Sequence, residues 1–368
     1  MRLEKLHLLN FKNYPEAGVD FIGNIHCFLG KNGSGKTNLL DAIHYLSFTK
    51  SGVHASDLNN IRHGHDHFLI SGVFEKQGKQ FEVACSYSPE GKKKVLESGK
   101  EYSRFSQHIG KYPLVMVAPH SIELIWDGGE TRRNFFDMLL AQLDKEYLEH
   151  LISYQAHLRQ RNSLLKMFAE RGSVDRDLIA SYDEKLVPSG ILLHHKRSDF
   201  IKRYLPLLTK RYGFLVKNSS ETAGLTYQSD LEKSDFKTEL ELRLERDVLI
   251  GRTTAGVHRD DFLFTLDGLE LKRFGSQGQQ KSFLIALMLA EFDCLKEKNG
   301  FSPILLLDDI FDKLDDERIV QLMRLVSGGT FGQIFITDAR PGRSLEVLKE
   351  AGVKSQNFMV AEGGTSII

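Results

Sequence analysis

The sequence predicts an α/β fold in which both ends of the chain build one domain and a mainly helical lobe is inserted between them. Near the start, a short apolar run, a glycine-rich turn and an amphipathic helix follow one another. Beyond residue 300, "SPILLLDD" and "FGQIFITD" have the composition of buried parallel strands. Between about residues 131 and 212, apolar residues recur at three- or four-residue steps, as in helices. We therefore expect residues 1–130 plus 251–368 to form one domain and residues 131–250 to form the inserted lobe.

The composition is that of an ordinary globular protein. The chain has 368 residues, 41% hydrophobic and 27% charged, with 49 basic and 49 acidic side chains. Its balanced charge therefore argues neither for nor against nucleic acid as a ligand. Cys27, Cys85 and Cys294 form no CxxC pair, so neither a zinc site nor a disulfide framework is indicated. No run approaches the roughly 18 apolar residues of a membrane span, and we expect a cytoplasmic protein without a membrane partner.

The elements of the first domain are predicted in order along the chain. "LEKLHLL" and "NIHCFLG" are expected to be strands. A helix is expected from Lys36, because Leu39, Leu40, Ile43 and Leu46 lie on one helical face. Residues 61–112 alternate β-like runs with Gly/Lys turns, which indicates an antiparallel sheet built from hairpins.

Two helical tracts are predicted for the inserted lobe. The first is a single long amphipathic helix through residues 131–165, and the second runs from about residue 177 to 212. Pro188 and Gly190 are expected to break the second tract. Neither tract carries the sustained heptads of a long coiled coil, so we expect a compact lobe.

A phosphate-binding loop follows the second predicted strand. Residues 30–37, "GKNGSGKT", satisfy GxxxxGK[ST] between a strand and a helix. The loop residues are Gly30, Lys31, Asn32, Gly33, Ser34, Gly35, Lys36 and Thr37. Glycines allow successive backbone N–H groups to face phosphate, the lysine reaches the β- and γ-phosphates, and the threonine hydroxyl binds Mg²⁺. The pattern predicts a site for ATP and Mg²⁺; the alternative is a glycine-rich turn without a ligand.

Two adjacent acids end the strand "ILLL". A nucleotide triphosphatase needs a carboxylate beside the metal, and Asp308 is the better candidate. Asp309 can face the γ-phosphate and orient the attacking water. The alternative for Asp309 is a helix cap or a solvated loop acid. Because these acids lie far from residues 30–37 in the sequence, a large insertion must separate the two halves of one sheet.

The segment 275–281, "GSQGQQK", precedes a nearly all-apolar helix and is called the signature segment below. Ser276 and Gln279 have the spacing of a capping box, so the helix should start at Ser276 and run to about Leu295. Capping does not explain Gly275 and Gly278. Glycines at a helix N-terminus favour a second phosphate cradle. One chain with two cradles but a single phosphate-loop lysine suggests that two chains share two nucleotides.

These motifs resemble those of a known family. The phosphate-binding loop, the distant signature segment, and a strand ending in Asp-Asp and followed by "LD" are similar to the ATP-binding-cassette heads of the SMC type. "LHLLNFKNY", "GKNGSGKTNLLDAIHYLS", "IRHG", "GETRRNFFD", "HRDDF", "GSQGQQKSFLIALMLAE", "ILLLDDIFDKLD" and "GQIFITD" resemble, in order, the motifs of the RecF family of bacterial recombination mediators. The resemblance covers nearly the whole chain.

The resemblance implies an ATP-binding-cassette head without a long coiled coil, and a DNA repair, replication and recombination function. Such proteins bind ATP and Mg²⁺, form an ATP-dependent homodimer and bind DNA without sequence preference at single-strand gaps or single-strand/double-strand junctions. They act with RecR and RecO to help load the recombinase RecA, and slow, DNA-stimulated ATP hydrolysis resets them. By the same resemblance, Lys36, Thr37 and Asp308 act in cis, whereas Ser276, Gly278 and Gln279 act in trans on the partner's nucleotide. Asp315 falls in the loop that crosses the dimer interface.

The chain departs from the family pattern in a few places. Asp309 stands where ATP-binding cassettes usually carry glutamate, a choice that RecF-like sequences share, and Thr337 and Asp338 stand where transporter ATPases carry a switch histidine. Val257 replaces a proline of the family's usual motif, and "VAPHSIELI" replaces another. Three other classes of protein fit less well. The long gap between the two motifs and the missing histidine disfavour a transport subunit, the lack of a coiled coil disfavours another SMC-like chromosome-maintenance head, and the signature segment disfavours a small-acceptor kinase.

Weaker features concern DNA and metal. Arg132 and Arg133 begin the helical lobe, and with the basic residues that follow they are candidates for DNA phosphate contacts. Those later residues are Arg159, Arg161, Lys166, Arg197, Lys202, Arg203, Lys210 and Arg211. The histidines of "RHGHDH", residues 62–67, lack a further partner set for a metal shell, so a polar strand edge is the better interpretation. We expect Trp126 to be packed and not stacked on a base.

Overall fold

The computed structural model describes residues 1–54, 56–216, 220–309, 319, 329 and 331–368. The chain divides into two compact units. The first contains residues 1–121, 214–218 and 281–368, and the second contains residues 122–213 and 219–280. Residues 251–280 therefore belong to the second unit, whereas we expected them in the first. The reason is strand pairing, because residues 261–266 pair with residues 223–228 in a sheet of the second unit.

The first unit contains two sheets, one of them antiparallel. Its strands are β1 (Arg2–Phe11), β2 (Tyr14–Asp20), β4 (Phe68–Lys76), β5 (Lys79–Ser88), β6 (Lys92–Glu97) and β7 (Lys100–Glu101), in the order β2-β1-β4-β5-β6-β7. Every neighbouring pair in this sheet is antiparallel. This confirms the hairpins predicted for residues 61–112, where apolar and polar residues alternate with turn residues.

The other sheet of the first unit joins the two ends of the chain. Its strands are β3 (Ile25–Leu29), β8 (Leu114–Val117), β12 (Ile304–Leu307), β13 (Ile334–Asp338), β14 (Gln356–Ala361) and β15 (Gly364–Ile367), in the order β15-β14-β3-β13-β12-β8. All pairs are parallel except β14 with β15. The early strand β3 lies between two late ones, which confirms that both ends of the sequence build one α/β domain. All four residues of β12 are buried, as expected of a central parallel strand.

Helices α1 (Lys36–Phe48), α9 (Gln277–Asn299) and α10 (Pro341–Glu350) lie wholly or partly in the first unit. The boundary between the units falls within α9. Helix α1 starts at Lys36 as predicted, and its apolar residues Leu39, Leu40, Ile43 and Leu46 are buried. Helix α9 runs four residues beyond the predicted end at Leu295.

The second unit is mainly helical. Its helices are α2 (Glu123–Trp126), α3 (Gly129–Leu143), α4 (Lys145–Arg171), α5 (Arg176–Leu215), α6 (Phe236–Leu242), α7 (Leu244–Ile250) and α8 (Leu271–Phe274). A small antiparallel sheet of β9 (Ala223–Gln228), β10 (Asp261–Leu266) and β11 (Leu269–Glu270) accompanies them, in the order β11-β10-β9. None of the helices in the described ranges is long and apolar enough to cross a membrane.

The prediction of a single long helix through residues 131–165 was wrong. The chain breaks at Asp144, which has extended backbone angles and caps α4 by accepting hydrogen bonds from the backbone N–H groups of Glu146 and Tyr147. An aspartate within an amphipathic pattern resembles a solvated helical residue, but its short carboxylate also caps a helix well. The apolar periodicity continues across the break and conceals it.

The break predicted at Pro188 and Gly190 was also wrong, because α5 continues through both and through Pro206. Gly190 has a packing role. A Cβ atom at this position would lie 2.4 Å from Cε1 of Phe236, so glycine is needed for the close approach of α6. Tertiary packing of this kind outweighs the local cost of proline and glycine in a helix.

Candidate functional site

The glycine loop leaves the carboxyl end of β3 and leads into α1. Gly30, Gly33 and Gly35 have φ angles of 156°, 78° and 108°, which side-chain-bearing residues rarely adopt. A Cβ atom on Gly30 would lie 2.4 Å from the carbonyl oxygen of Val360. The loop therefore needs glycine for its backbone conformation and, at Gly30, for its close approach to β14.

Two residues of the β1–β2 turn region hold this loop. Asn13 Nδ2 donates to the Ser34 carbonyl at 3.1 Å, and Asn13 Oδ1 accepts from Asn38 Nδ2 at 2.7 Å. Tyr14 donates its hydroxyl hydrogen bond to the Gly35 carbonyl at 3.0 Å. Both residues belong to the family motif "LHLLNFKNY", but nothing in the local sequence predicts this role. Their pairing with the loop depends on how β1 and β2 meet α1, which no local pattern reveals.

Lys36 lies across the glycine loop. Its Nζ donates to the carbonyl oxygens of Gly30 at 2.7 Å and Lys31 at 2.9 Å. Burial lowers the pKa of Lys36 from its ordinary value, although the carboxylates of Asp309 and Asp308 oppose this shift. A desolvated ammonium group beside exposed backbone N–H donors is suited to neutralising phosphate charge.

Asp308 lies at the end of β12 and joins the loop through Thr37. Thr37 Oγ1 donates to the Asp308 carboxylate, 3.0 Å from each oxygen, and Thr337 Oγ1 donates to Asp308 Oδ1 at 2.6 Å. Only 4% of Asp308 is exposed. The carboxyl ends of β12 and β13 meet the start of the loop here, since Gly30 N–H donates to the Asp338 carbonyl. Ligands of open parallel sheets bind at this edge.

The donor set at this edge fits Mg²⁺. Thr37 and Asp308 offer hard oxygen ligands, and no cluster of three or more His, Cys, Asp or Glu residues suited to a metal occurs among the described residues. Mg²⁺ in nucleotide sites is usually bound by one or two protein oxygens together with phosphate oxygens and water. Ser34 Oγ in the loop is buried and has no hydrogen-bond partner within the described ranges. A buried hydroxyl without a partner is costly, and a nucleotide phosphate would satisfy it.

Asp309 has an unusual backbone and an unsatisfied side chain. Its φ angle is +51°, in the left-handed region that aspartate tolerates better than most residues. Its N–H donates to Thr337 Oγ1 at 2.9 Å, while its Oδ1 is buried and has no hydrogen-bond partner in the part of the chain that the structure describes. Residues 310–318, which a helix cap at Asp309 would contact, lie outside the described residues. A strained, unsatisfied carboxylate near Lys36 and Asp308 has the features of a functional acid.

The signature segment forms the predicted capping box in the second unit. Ser276 N–H donates to Gln279 Oε1 at 2.7 Å, and Gln279 N–H donates to Ser276 Oγ at 3.2 Å. Gln279 Nε2 also donates to Glu221 at 2.7 Å, and Ser276 itself is exposed. Gly275 has a structural explanation, since a Cβ there would lie 2.7 Å from the Leu271 carbonyl oxygen. Asp315, assigned to the dimer interface, lies outside the described residues.

Arg132 and Arg133 make contacts within the second unit. Arg132 donates from Nε and Nη2 to the two oxygens of Asp261, each at 2.8 Å, and only 8% of the residue is exposed. Arg133 donates to the Asp260 carbonyl at 2.5 Å. These guanidinium groups join the start of α3 to β10 and its preceding turn. The internal ion pair of Arg132 does not favour a DNA contact, whereas the assignment of the half-buried Arg133 stays a prediction.

Two further arginines from the predicted basic surface are buried. Arg161 pairs with Asp183 at 2.6 Å and with Asp247 at 2.8 Å. Arg197 pairs with Asp137 at 2.8 Å and Asp260 at 3.0 Å. The acids that neutralise these arginines come from distant parts of the sequence, so the local pattern of basic residues does not show their burial.

Two minor predictions have clear outcomes. In residues 62–67, Arg62 contacts His65 and Asp66 contacts His67, as expected of a polar segment that leads into a strand. Trp126 is 49% exposed, so the expectation that it is packed was wrong.

The chain is similar to known proteins over nearly its whole length. Residues 2–361 match the family model of the RecF/RecN/SMC N terminal domain. The DNA replication and repair protein RecF of Flavobacterium johnsoniae is 45% identical over 350 residues, which cover 95% of this chain and 97% of the relative. The RecF protein of Cytophaga hutchinsonii is 42% identical over 365 residues, which cover 99% of this chain and 96% of the relative.

Solved structures give the same result. The recombination mediator protein RecF with ATPrS, from the RecFOR pathway, matches with a TM-score of 0.89 and 27% identity over 100% of this chain and 98% of that chain. The corresponding RecF-ATP structure matches with a TM-score of 0.86 and 26% identity, over 100% of this chain and 99% of that chain. An Smc head domain from Pyrococcus furiosus matches with a TM-score of 0.56 and 15% identity, over 100% of this chain and 95% of that chain. This match shows a shared fold. The chain belongs to the RecF family of DNA replication and repair proteins, with the ATP-binding-cassette head fold of the SMC group.

Proposed function

We propose that the protein is an ATP-gated DNA clamp that helps load recombinase in DNA repair. Two copies dimerise around two ATP molecules, bind single-strand gaps or single-strand/double-strand junctions without sequence preference, and act with RecR and RecO in delivering RecA. The protein works in the cytoplasm on the nucleoid. The observation that carries this proposal is the cluster of Lys36, Thr37, Asp308 and Asp309 at one edge of the parallel sheet. RecF relatives that are similar over nearly their whole length support the remainder.

The chain's own residues supply positioning and charge. Lys36 neutralises negative charge on the β- and γ-phosphates, and Thr37 with Asp308 would hold Mg²⁺, which when bound screens phosphate charge. Asp309 orients the attacking water through its buried oxygen. Phosphoryl transfer requires little covalent chemistry from the protein, so these electrostatic roles are sufficient for a weak ATPase.

The signature segment acts on the partner's nucleotide in this proposal. Ser276 is exposed at the N-terminus of α9, where the helix dipole favours an anion. Gly278 allows a phosphate to approach the backbone of the first turn. ATP bound to one subunit then bridges to the signature segment of the other, and hydrolysis removes that bridge. The slow reaction serves as a timer that resets the clamp.

The test measures ATP-driven dimerisation by light scattering for the wild type and for Ser276→Arg, Lys36→Arg and Asp309→Asn. Ser276→Arg is expected to bind ATP and remain monomeric, because the added side chain blocks the partner's phosphate. Lys36→Arg is expected to lose hydrolysis, and Asp309→Asn to prolong the ATP-bound dimer. Normal ATP-dependent dimerisation of Ser276→Arg would show that the segment does not act in trans.

A further inference from the structure

An arginine-lined pocket lies in the second unit, and none of its residues is assigned above to nucleotide. It has a volume of about 240 Å³, and four of its lining residues are Arg243, Arg246, Arg252 and Arg259. Asp230 is the one acidic residue that lines it. The pocket, which we call the arginine pocket, therefore carries a strong excess of positive charge. Such concentrations of one charge in a concave surface focus the field on an oppositely charged ligand.

Three of the four guanidinium groups are available to a ligand. Arg246, Arg252 and Arg259 are exposed, and their side chains make no hydrogen bond or ion pair to any residue the structure describes. Arg243 differs, because it pairs with Asp230 at 2.9 Å and with Glu239 at 2.6 Å. Placing three like charges around one cavity costs free energy unless a ligand neutralises them.

The pocket wall is held rigidly from beneath. Gly251, with φ +65°, ends α7 and reverses the chain, and the N–H of Arg252 donates to the Asp247 carbonyl at 3.1 Å. Thr254, which lines the pocket, donates from its N–H and its Oγ1 to Asp247 Oδ1 at 2.9 and 2.6 Å. The other oxygen of Asp247 pairs with the buried Arg161. This support reduces the entropy lost when the pocket binds a ligand.

Arg259 belongs to the "HRDDF" motif, and the neighbouring polar residues of that motif make contacts within the second unit. His258 Nδ1 contacts the Tyr154 hydroxyl at 2.7 Å, Asp260 pairs with Arg197, and Asp261 pairs with Arg132. These three polar residues are used within the second unit. Of the four polar residues in this motif, only Arg259 lines the pocket. The interior contacts therefore fix the backbone that directs Arg259 outward.

We propose that the arginine pocket binds backbone phosphates of DNA, and this inference rests on the DNA-binding function proposed above. Guanidinium groups pair bidentately with phosphate oxygens, which suits a cavity lined by several arginines. The cavity has one apolar lining residue, Ile250, so it offers little to the side chains of a peptide. Protein–DNA interfaces are more polar and more positive than protein–protein interfaces. Phosphate contacts of this kind do not depend on the bases, in keeping with sequence-independent binding.

The test uses the triple variant Arg246→Ala/Arg252→Ala/Arg259→Ala in the full chain with ATP. Binding to a gapped DNA duplex is measured by fluorescence anisotropy at several salt concentrations. We expect the affinity to fall by about 10- to 100-fold near physiological salt, and the slope of log affinity against log salt to fall by about two to three, since each phosphate contact contributes about 0.9. The matching Arg→Lys triple variant keeps the charge and should retain most of the slope while losing part of the affinity.

Two controls make the result specific. Lys145→Ala/Arg171→Ala/Lys185→Ala removes the same charge from exposed positions that do not line the pocket, and it should bind DNA nearly as the wild type does. ATP-driven dimerisation of the arginine variant should be unchanged. Wild-type DNA binding by the arginine variant, or an equal loss in the control, would overturn the proposal. Loss of the dimer would assign the pocket to subunit contacts and would also overturn it. If the wild type binds ATP but no DNA, the proposed function itself fails.

Discussion

Thr337 connects the two acids at the end of β12. Its hydroxyl donates to Asp308 Oδ1 at 2.6 Å and accepts a hydrogen bond from the backbone N–H of Asp309 at 2.9 Å. One side chain on β13 therefore orients the proposed metal ligand and fixes the left-handed backbone of the proposed water-orienting acid. Transporter ATPases carry a histidine near this point, whereas here a threonine has a supporting role for both acids.

Thr337→Val should slow ATP hydrolysis by about 10- to 100-fold, the usual effect of removing a group that orients a metal ligand. ATP binding should change much less, because Lys36 and the glycine loop remain. Thr337→Ser keeps the hydroxyl and is the control. Single-turnover hydrolysis and nucleotide titration separate the two effects. Equal rates for the valine and serine variants would contradict the role of the hydroxyl.

Gly30→Ala should destabilise the first unit more than Gly33→Ala does. Both positions have positive φ, which costs about 1 to 2 kcal/mol for alanine. At Gly30 the new Cβ would also lie 2.4 Å from the Val360 carbonyl, while a Cβ on Gly33 would meet no atom within 4 Å. Thermal unfolding with and without ATP measures the difference. Equal loss at both positions would mean that β14 moves away readily.

Arg197→Met should destabilise the second unit by about 3 to 5 kcal/mol, because it leaves the buried carboxylates of Asp137 and Asp260 without their cation. Arg203→Met on the same helix is exposed and should change the free energy of unfolding by less than about 0.5 kcal/mol. Urea unfolding of both variants gives the comparison. A small effect at Arg197 would indicate that the acids become protonated or rearrange without much cost.

Glu291 on α9 predicts a pH dependence of stability. Burial raises the pKa of this carboxyl from 4.5 to about 8. Between these values the folded state retains a proton that the unfolded state releases, so the free energy of unfolding should fall as pH rises and then level off above about pH 8. Compared with the wild type, Glu291→Gln should gain stability by about 1.4 kcal/mol per pH unit across this window. Urea unfolding at pH 5 to 8 tests this, with Glu297→Gln, exposed on the same helix, as the control. Parallel profiles for the wild type and Glu291→Gln would contradict the prediction.

Local patterns were sufficient for the parts of the fold that are proposed to bind phosphate. The glycine loop, the start of α1, the buried strands β12 and β13 and the capping box at Ser276 each depend on residues close together in the sequence. Patterns of this kind report local hydrogen bonding and one-sided burial, which are determined within a few residues.

Features that depend on distant partners could not be predicted. Gly190 lies within a continuous helix and packs closely against Phe236, and Arg161 is buried where Asp183 and Asp247 neutralise it. A basic residue on a helix is usually solvated, so the local sequence favoured a surface role. The arginine pocket depends on the fold in part, since Arg243, Arg246 and Arg252 lie on or beside α7, whereas Arg259 reaches the pocket from a later turn.

The order of the strands in the parallel sheet has a consequence for synthesis of the chain. Strand β3 pairs with β13 and β14, yet the ribosome must add every residue from Gly30 to Gln333 before β13 emerges. At about 5 to 20 residues per second, this leaves β3 without its sheet partners for roughly 15 to 60 s. During that time an apolar strand with two unpaired edges is open to wrong pairing. The nascent nucleotide-binding domain should therefore be a client of chaperones until its last strands arrive.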